Sequence, residues 1–166
     1  MSIDSPAHSP QGYDIRFGAP GPAGFLSNLS PFPFIFDGIR YGSMEGFLQS
    51  LKFQHEVDVV GLREMSGLNA QRTGQAGNRW KESQTLWYRG MALKRQGVVY
   101  PLILRLAFEA LYRQNPGYRA AIKATVGAAL YHSIGKADPT DTILTETEFI
   151  DLLEWLQQYP QDPSLG

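Results

Sequence analysis

A chain of 166 residues with 43% apolar and 19% charged side chains has room for one domain around one sizeable core. Its formal net charge of −1 argues against a sequence-independent grip on nucleic acid, and its lack of cysteine excludes disulfides, thiolate catalysis and cysteine-ligated metal centres. His8, His55 and His132 stand far apart without the spacing of a zinc hydrolase, so no metal site is expected.

Residues 1–12, rich in Ser and Pro, have neither the basic start nor the apolar stretch of a signal peptide and are expected to be a flexible segment. No apolar run approaches membrane-spanning length, so a cytoplasmic protein without a membrane partner is expected. A single domain is expected over residues 13–160. The Gly, Pro, Asn and Ser residues of 12–43 break any helix there, but "FPFIFDGIRY" reads as a hairpin around Asp37-Gly38. Ser43 caps a helix over Met44–Glu56, and a second short helix follows over Val57–Met65. The polar, Gly-rich segment "SGLNAQRTGQAGNR" is expected to be mostly loop. Helical spacing resumes from Lys81 to Arg95 and again from Pro101 until Asn115-Pro116-Gly117 stops it. A further helix is expected within "YRAAIKATVGAALY", then irregular chain or a short strand in "HSIGKADPTDTIL". Thr145 and Glu148 form a capping box ahead of a last amphipathic helix carrying Phe149, Leu152, Leu153 and Leu156, and the tail from Tyr159 is expected to be loose. The fold class is α+β, mainly helical with a small sheet near the N-terminus.

Four groups of residues are candidates for chemistry. Glu45, Gln49 and Lys52 fall on one helical stripe, read either as a solvated face with Glu45 favoured by the helix dipole or as the wall of a cleft. Trp87 and Met91 share a face in the helical reading, as do Tyr88 and Ala92. With Arg79, Lys81, Arg89, Lys94 and Arg95 interleaved, this is either core or a strip that holds phosphate and stacks a flat ring. His132, Lys136, Asp138 and Asp141 crowd into one expected loop, as turn chemistry or as function. Gly24 and Asn28, in "GFLSNLSPFPF", belong to a Pro-stiffened connection or present polar groups to a ligand.

The sequence resembles the NADAR (YbiA-like) family. The likeness rests on "FGAPGPAGFLSNLSPFPFIFDGIRYGSMEGFLQSLKF", on "WYRGM" with Lys94 after it, and on "ILRLAFEALYRQNPGYRAAIKAT", and it covers about residues 17 to 135. The order of F-L-S-N-L-S-P-F, D-G-x-x-Y-x-S-x-E and the K-F pair is distinctive. The resemblance implies the YbiA-like fold. It also implies an N-glycosidase that cleaves N-ribosyl bonds in phosphorylated riboflavin precursors or in ADP-ribosylated bases. The family's acid falls on Glu45, its lysine on Lys52 and its tryptophan on Trp87. Many members carry a D-x-x-W-G-x-G segment, where this chain has "HSIGKADPTDTIL". Asp138 or Asp141 is expected to supply the second acid.

Cleaving an N-ribosyl bond builds positive charge at the anomeric carbon, which a nearby carboxylate stabilises while orienting the attacking water. Glu45, with Asp138 or Asp141, is the candidate for that work. Asn28, Gln49, Lys52, Trp87, Arg89, Lys94 and His132 are the candidate substrate-binding residues, and no cofactor is expected. The expected partner is a nucleotide-like small molecule, with ADP-ribosylated nucleic acid as a further one. One rival reading is a module that binds ADP-ribose or an NAD derivative and cleaves nothing. Another is a helical partner-binding domain, which would expose an apolar patch and have no polar pocket. Oligomeric state is left open.

Overall fold

A computed structural model describes residues 12–160 and 162–165, so His8 and the expected flexible segment up to residue 11 lie outside the described residues. The described residues begin with β1 (Tyr13–Asp14) and one turn of helix, α1 (Pro22–Phe25). The hairpin β2 (Phe34–Phe36) and β3 (Ile39–Tyr41) comes next. Asp37 and Gly38, with φ of 51° and 75°, make its two-residue turn, the backbone for which Asp-Gly is suited. Helices α2 (Met44–Ser50), α3 (Glu56–Arg63) and α4 (Gly67–Gly74) follow, and a 3-10 turn at Gln75–Gly77 extends α4. Then come the single turn α5 (Trp80–Ser83), the hairpin β4 (Thr85–Tyr88) and β5 (Met91–Lys94), the long helix α6 (Val99–Gln114), α7 (Pro116–Ala124), β6 (Leu130–Tyr131) and α8 (Glu146–Gln157).

The fold is α+β and mainly helical, as the sequence implies. Among the described residues its strands form three two-stranded sheets rather than one sheet near the N-terminus. In one of them β1 lies parallel to β6, with Tyr13 opposite Leu130, and this brings the first strand against the segment that leads to α8.

Helix α2 is central. Ser43 caps it by accepting from the Gly46 amide at 3.0 Å, and all seven of its residues are buried. A helix apolar on only one side is ordinarily half solvated, so burial of the whole of α2 means that its polar stripe also faces protein. Phe47, fully buried, meets Phe34, Phe36 and Tyr41 with ring centroids 5.1–6.3 Å apart. Truncating such a ring to alanine costs about 3–5 kcal/mol. Helix α6 supplies Tyr100, Ile103, Leu104, Ala107, Phe108, Leu111 and Tyr112 to the same core, at the three- and four-residue spacing of one helical face. Helix α8 adds Phe149, Leu152, Leu153 and Leu156 behind its capping box, in which Glu148 N donates to Thr145 Oγ1 at 3.1 Å and Thr145 N to Glu148 Oε2 at 3.2 Å.

Several expectations change. The helix expected over Lys81–Arg95 is one helical turn and a hairpin. Gln84, with φ of 53°, ends α5, and Arg89 and Gly90, with φ of 51° and 81°, turn the chain back. Thr85, Leu86, Trp87 and Tyr88 are good strand formers, and the two-residue turn between matched strands prevails over helical spacing. The segment expected as loop around residues 66–79 is largely helical, because Gly74 and Gly77 serve close packing rather than turning: a Cβ on Gly74 would lie 2.0 Å from Gln49 Oε1, and one on Gly77 would lie 2.6 Å from Lys52 Cβ. Helix α2 ends six residues before its expected limit at Glu56. Helix α6 begins at Val99, two residues before Pro101. The tail is not wholly loose, since Arg119 Nη2 donates to the Leu165 carbonyl at 2.8 Å.

Candidate active site

The stripe of α2 forms one wall of a cleft of about 480 Å3. Other walls come from Asn28 and Leu29 in the loop before β2, from Asn78 and Trp80, and from His132 and the chain that leads from it to Leu144. Local pairing holds the first two walls together. The Glu45 amide donates to the Asn28 carbonyl at 2.9 Å, and the Gly67 amide to the Leu29 carbonyl at 3.0 Å. Helix α4 packs on α2 where Gly74 meets Gln49, and the 3-10 turn after it packs on Lys52 and Phe53 through Gly77.

Glu45 is 9% exposed. Burial pushes its carboxyl above the ordinary range, while the hydrogen bond from Gln49 and the charge of Lys52 pull the other way. Gln49 Nε2 donates to Glu45 Oε1 at 2.7 Å. The Lys52 amine donates to Asn78 Oδ1 at 2.8 Å. Burial pushes that amine down to about 8; Glu45 opposes the shift, and Lys81 and Lys136 reinforce it. Lys52 therefore lies within electrostatic reach of the carboxylate on one side and of two lysines on the other.

At the mouth, Asp141 joins those two lysines. Oδ1 accepts from Lys81 Nζ at 2.7 Å and Oδ2 from Lys136 Nζ at 2.9 Å. These hydrogen bonds hold its carboxyl down at about 2. His132 Nδ1 lies 2.7 Å from the Ile15 carbonyl. A carbonyl only accepts, so Nδ1 carries hydrogen, and in the neutral ring Nε2 keeps a lone pair. The ring stands edge-on to Phe149 at 5.0 Å.

Of the candidate catalytic and substrate-binding residues, Asn28, Glu45, Gln49, Lys52, His132 and Asp141 line this cleft. Asp138, Trp87, Arg89 and Lys94 do not. Asp138 makes a turn, accepting from the Thr140 amide at 2.9 Å and hydroxyl at 2.8 Å. Trp87 lies on β4, where side chains alternate: Leu86 enters the core, and Trp87 lines a separate, very small cleft with Tyr41 and Arg63. Glu45 and Trp87 therefore do not share a pocket. Arg89, at the hairpin turn, donates to Asp37 Oδ2 at 2.9 Å, and Lys94 is exposed on β5. Arg95 is a buried tie, donating to the Thr142 carbonyl at 2.9 Å and to both oxygens of Glu148. Of the basic strip only Lys81 reaches the cleft.

The sequence reading missed Trp80, Asn78 and Arg16 as lining residues. Trp80 is 1% exposed and its buried Nε1 has no hydrogen-bond partner. It lies seven residues before Trp87, and only the strand geometry of Thr85–Tyr88 separates the two. Among the described residues no three of His, Asp and Glu are grouped as metal ligands would be. No helix of the described residues is long and apolar enough to cross a membrane.

This fold, with a buried polar cleft on α2, defines a YbiA-like α+β domain. The solved NMR structure of Escherichia coli YbiA superimposes with a TM-score of 0.60 at 20% identity, over 90% of this chain and 84% of YbiA, a likeness of fold. The chain belongs to the family of bacteriophage protein GP30.3, whose family model matches residues 21–158. A relative from Enterobacteria phage T4, described as an uncharacterized 17.1 kDa protein in the Gp30-rIII intergenic region, is 37% identical over 145 residues, covering 87% of this chain and 95% of the relative. The resemblance to the NADAR (YbiA-like) family is thus borne out.

Proposed function

We propose that the protein is an N-glycosidase that hydrolyses the N-ribosyl bond of a nucleotide-like substrate, either an ADP-ribosylated base or a phosphorylated riboflavin precursor, in the cytoplasm. The observation that carries this reading is the buried carboxylate of Glu45, fixed by Gln49 through one oxygen and lying in a cleft whose other ionisable groups are mostly basic. The cleft's volume of about 480 Å3 suits a small molecule.

In the reaction the bond from the anomeric carbon to the base nitrogen breaks with its electrons passing to the base. Water's oxygen bonds to the anomeric carbon, and the proton that water gives to Glu45 passes on through solvent to the released base, which restores the carboxylate. Ionised Glu45 stabilises the positive charge that builds on the sugar and accepts a proton from the water. Lys52 favours the charged form of Glu45. His132 offers Nε2 toward polar substrate atoms, and Trp80, almost wholly buried, backs the cleft wall. Asp141 is not the general acid of this scheme. Held at about 2, its carboxyl carries no proton to give near neutral pH, so its part is electrostatic.

The test is to incubate the pure protein with ADP-ribosylated guanine, free and in nucleic acid, and with phosphorylated riboflavin precursors. Released base and free sugar are expected from at least one of them. Tight binding of ADP-ribose with no release from any substrate would instead identify a non-catalytic binding module.

A further inference from the structure

Asp141 places one carboxylate oxygen on each of two lysines that come from different parts of the chain, Lys81 on α5 and Lys136 in the segment before α8. All three side chains line the cleft, and Lys52 feels the charge of both lysines. Counting Arg16, Lys52, Lys81 and Lys136 against Glu45 and Asp141, four cations face two anions, a formal excess of +2 with His132 neutral. An internal carboxylate bridging two ammonium groups occupies the position that a bound anion would take.

We propose that Lys81 and Lys136, backed by Lys52, form the subsite for a phosphate monoester on the substrate's ribose, and that Asp141 is an internal stand-in that the phosphate displaces. The proposal rests on the reading of this cleft as a ribosyl-cleaving pocket, and it adds where the charged end of the substrate lies. Displacement is easy. The Asp141 and Lys136 side chains are 48% and 55% exposed, and ion pairs so exposed hold weakly. A phosphate dianion offers more charge and more acceptor oxygens than a carboxylate. The backbone need not move, because Gln84 Nε2 donates to the Thr140 carbonyl and Arg95 Nε to the Thr142 carbonyl, each at 2.9 Å. The chain is therefore tied on both sides of Asp141, and rotation of its side chain is enough. Lys52 lines the same cleft and lies within electrostatic reach of Glu45 and of both subsite lysines. A ribose held by its 5-phosphate would point its anomeric end inward, toward Glu45.

The experiment is calorimetric titration of the full chain with ribose 5-phosphate, and with ribose as control, for wild type, Lys81→Met, Lys136→Met and Asp141→Asn. Thermal melts establish that each variant is folded. Ribose 5-phosphate is expected to bind wild type more tightly than ribose. Each lysine variant should weaken it by about tenfold, as for loss of one charge-assisted hydrogen bond. Asp141→Asn should tighten it and leave ribose unchanged. Ribose 5-phosphate binding no better than ribose, lysine variants that bind as wild type does, or an Asp141→Asn variant that binds more weakly would each overturn the proposal. These titrations involve no turnover. A protein that binds as expected but releases no base keeps the subsite and loses the N-glycosidase reading. A protein that turns over with a KM indifferent to Lys81 and Lys136 does the reverse.

Discussion

Gln49 donates its side-chain amide to Glu45 at 2.7 Å, one turn earlier on α2, and the backbone of Gly74 lies directly over that amide. A Cβ at position 74 would sit 2.0 Å from Gln49 Oε1 and 2.7 Å from Gln49 Cβ. Rotating the side chain does not relieve the second contact, because Cβ is fixed by the backbone, so α4 and α2 must part. Gly74→Ala is therefore expected to cost about 1–3 kcal/mol, as other overpacked sites do. Denaturant melts measure it. A variant as stable as wild type would show that α4 is not seated on the stripe.

On the proposed reaction, the pH dependence of turnover follows from Glu45 and Lys52. Glu45 must be ionised and is pushed up by burial, so activity should rise only above the ordinary carboxylate range. Lys52 must be protonated and lies at about 8, so activity should fall as pH passes that value. The rate of base release against pH should be bell-shaped. Lys52→Arg should flatten the alkaline limb, because a guanidinium keeps its proton there. Lys81→Met should move that limb upward, since the charge of Lys81 lowers Lys52. An alkaline limb that stays in place in both variants would remove Lys52 from the account.

Trp80 and Trp87 report on different clefts. Ligand binding is expected to change tryptophan fluorescence in wild type and in Trp87→Phe, and to leave it unchanged in Trp80→Phe. The opposite pattern would return Trp87 to the ligand, against the geometry of β4.

What the sequence discloses here is local. Asp37-Gly38 announces its hairpin, Ser43 its cap, and Thr145 with Glu148 their box, because each depends on neighbours within a few positions. The stripe of Glu45, Gln49 and Lys52 is visible from helical spacing, but its burial depends on Gly74 and Gly77, more than twenty residues on. Helical spacing misleads at Trp87 and Met91, where a two-residue turn at Arg89-Gly90 puts Tyr88 opposite Met91 and Trp87 opposite Ala92. The Lys81–Asp141–Lys136 cluster, the pairing of β1 with β6 and the choice of Asp141 over Asp138 at the cleft all follow from tertiary assembly, which spacing along the chain does not encode.

The most direct measurement is base release by Glu45→Gln, made beside its thermal melt at neutral pH. The substitution keeps shape and leaves an oxygen to accept from Gln49, but it removes the charge. Because burial raises the folded-state value of Glu45, its contribution to stability is present below the ordinary carboxylate value and is lost as pH rises through the raised one. Burial penalises the charged form, which glutamine lacks, so the variant should melt no lower than wild type. Release of base should fall by roughly a hundredfold or more, the scale of losing one preorganised electrostatic group. A Glu45→Gln protein that is stable and releases base at the wild-type rate would contradict the catalytic assignment.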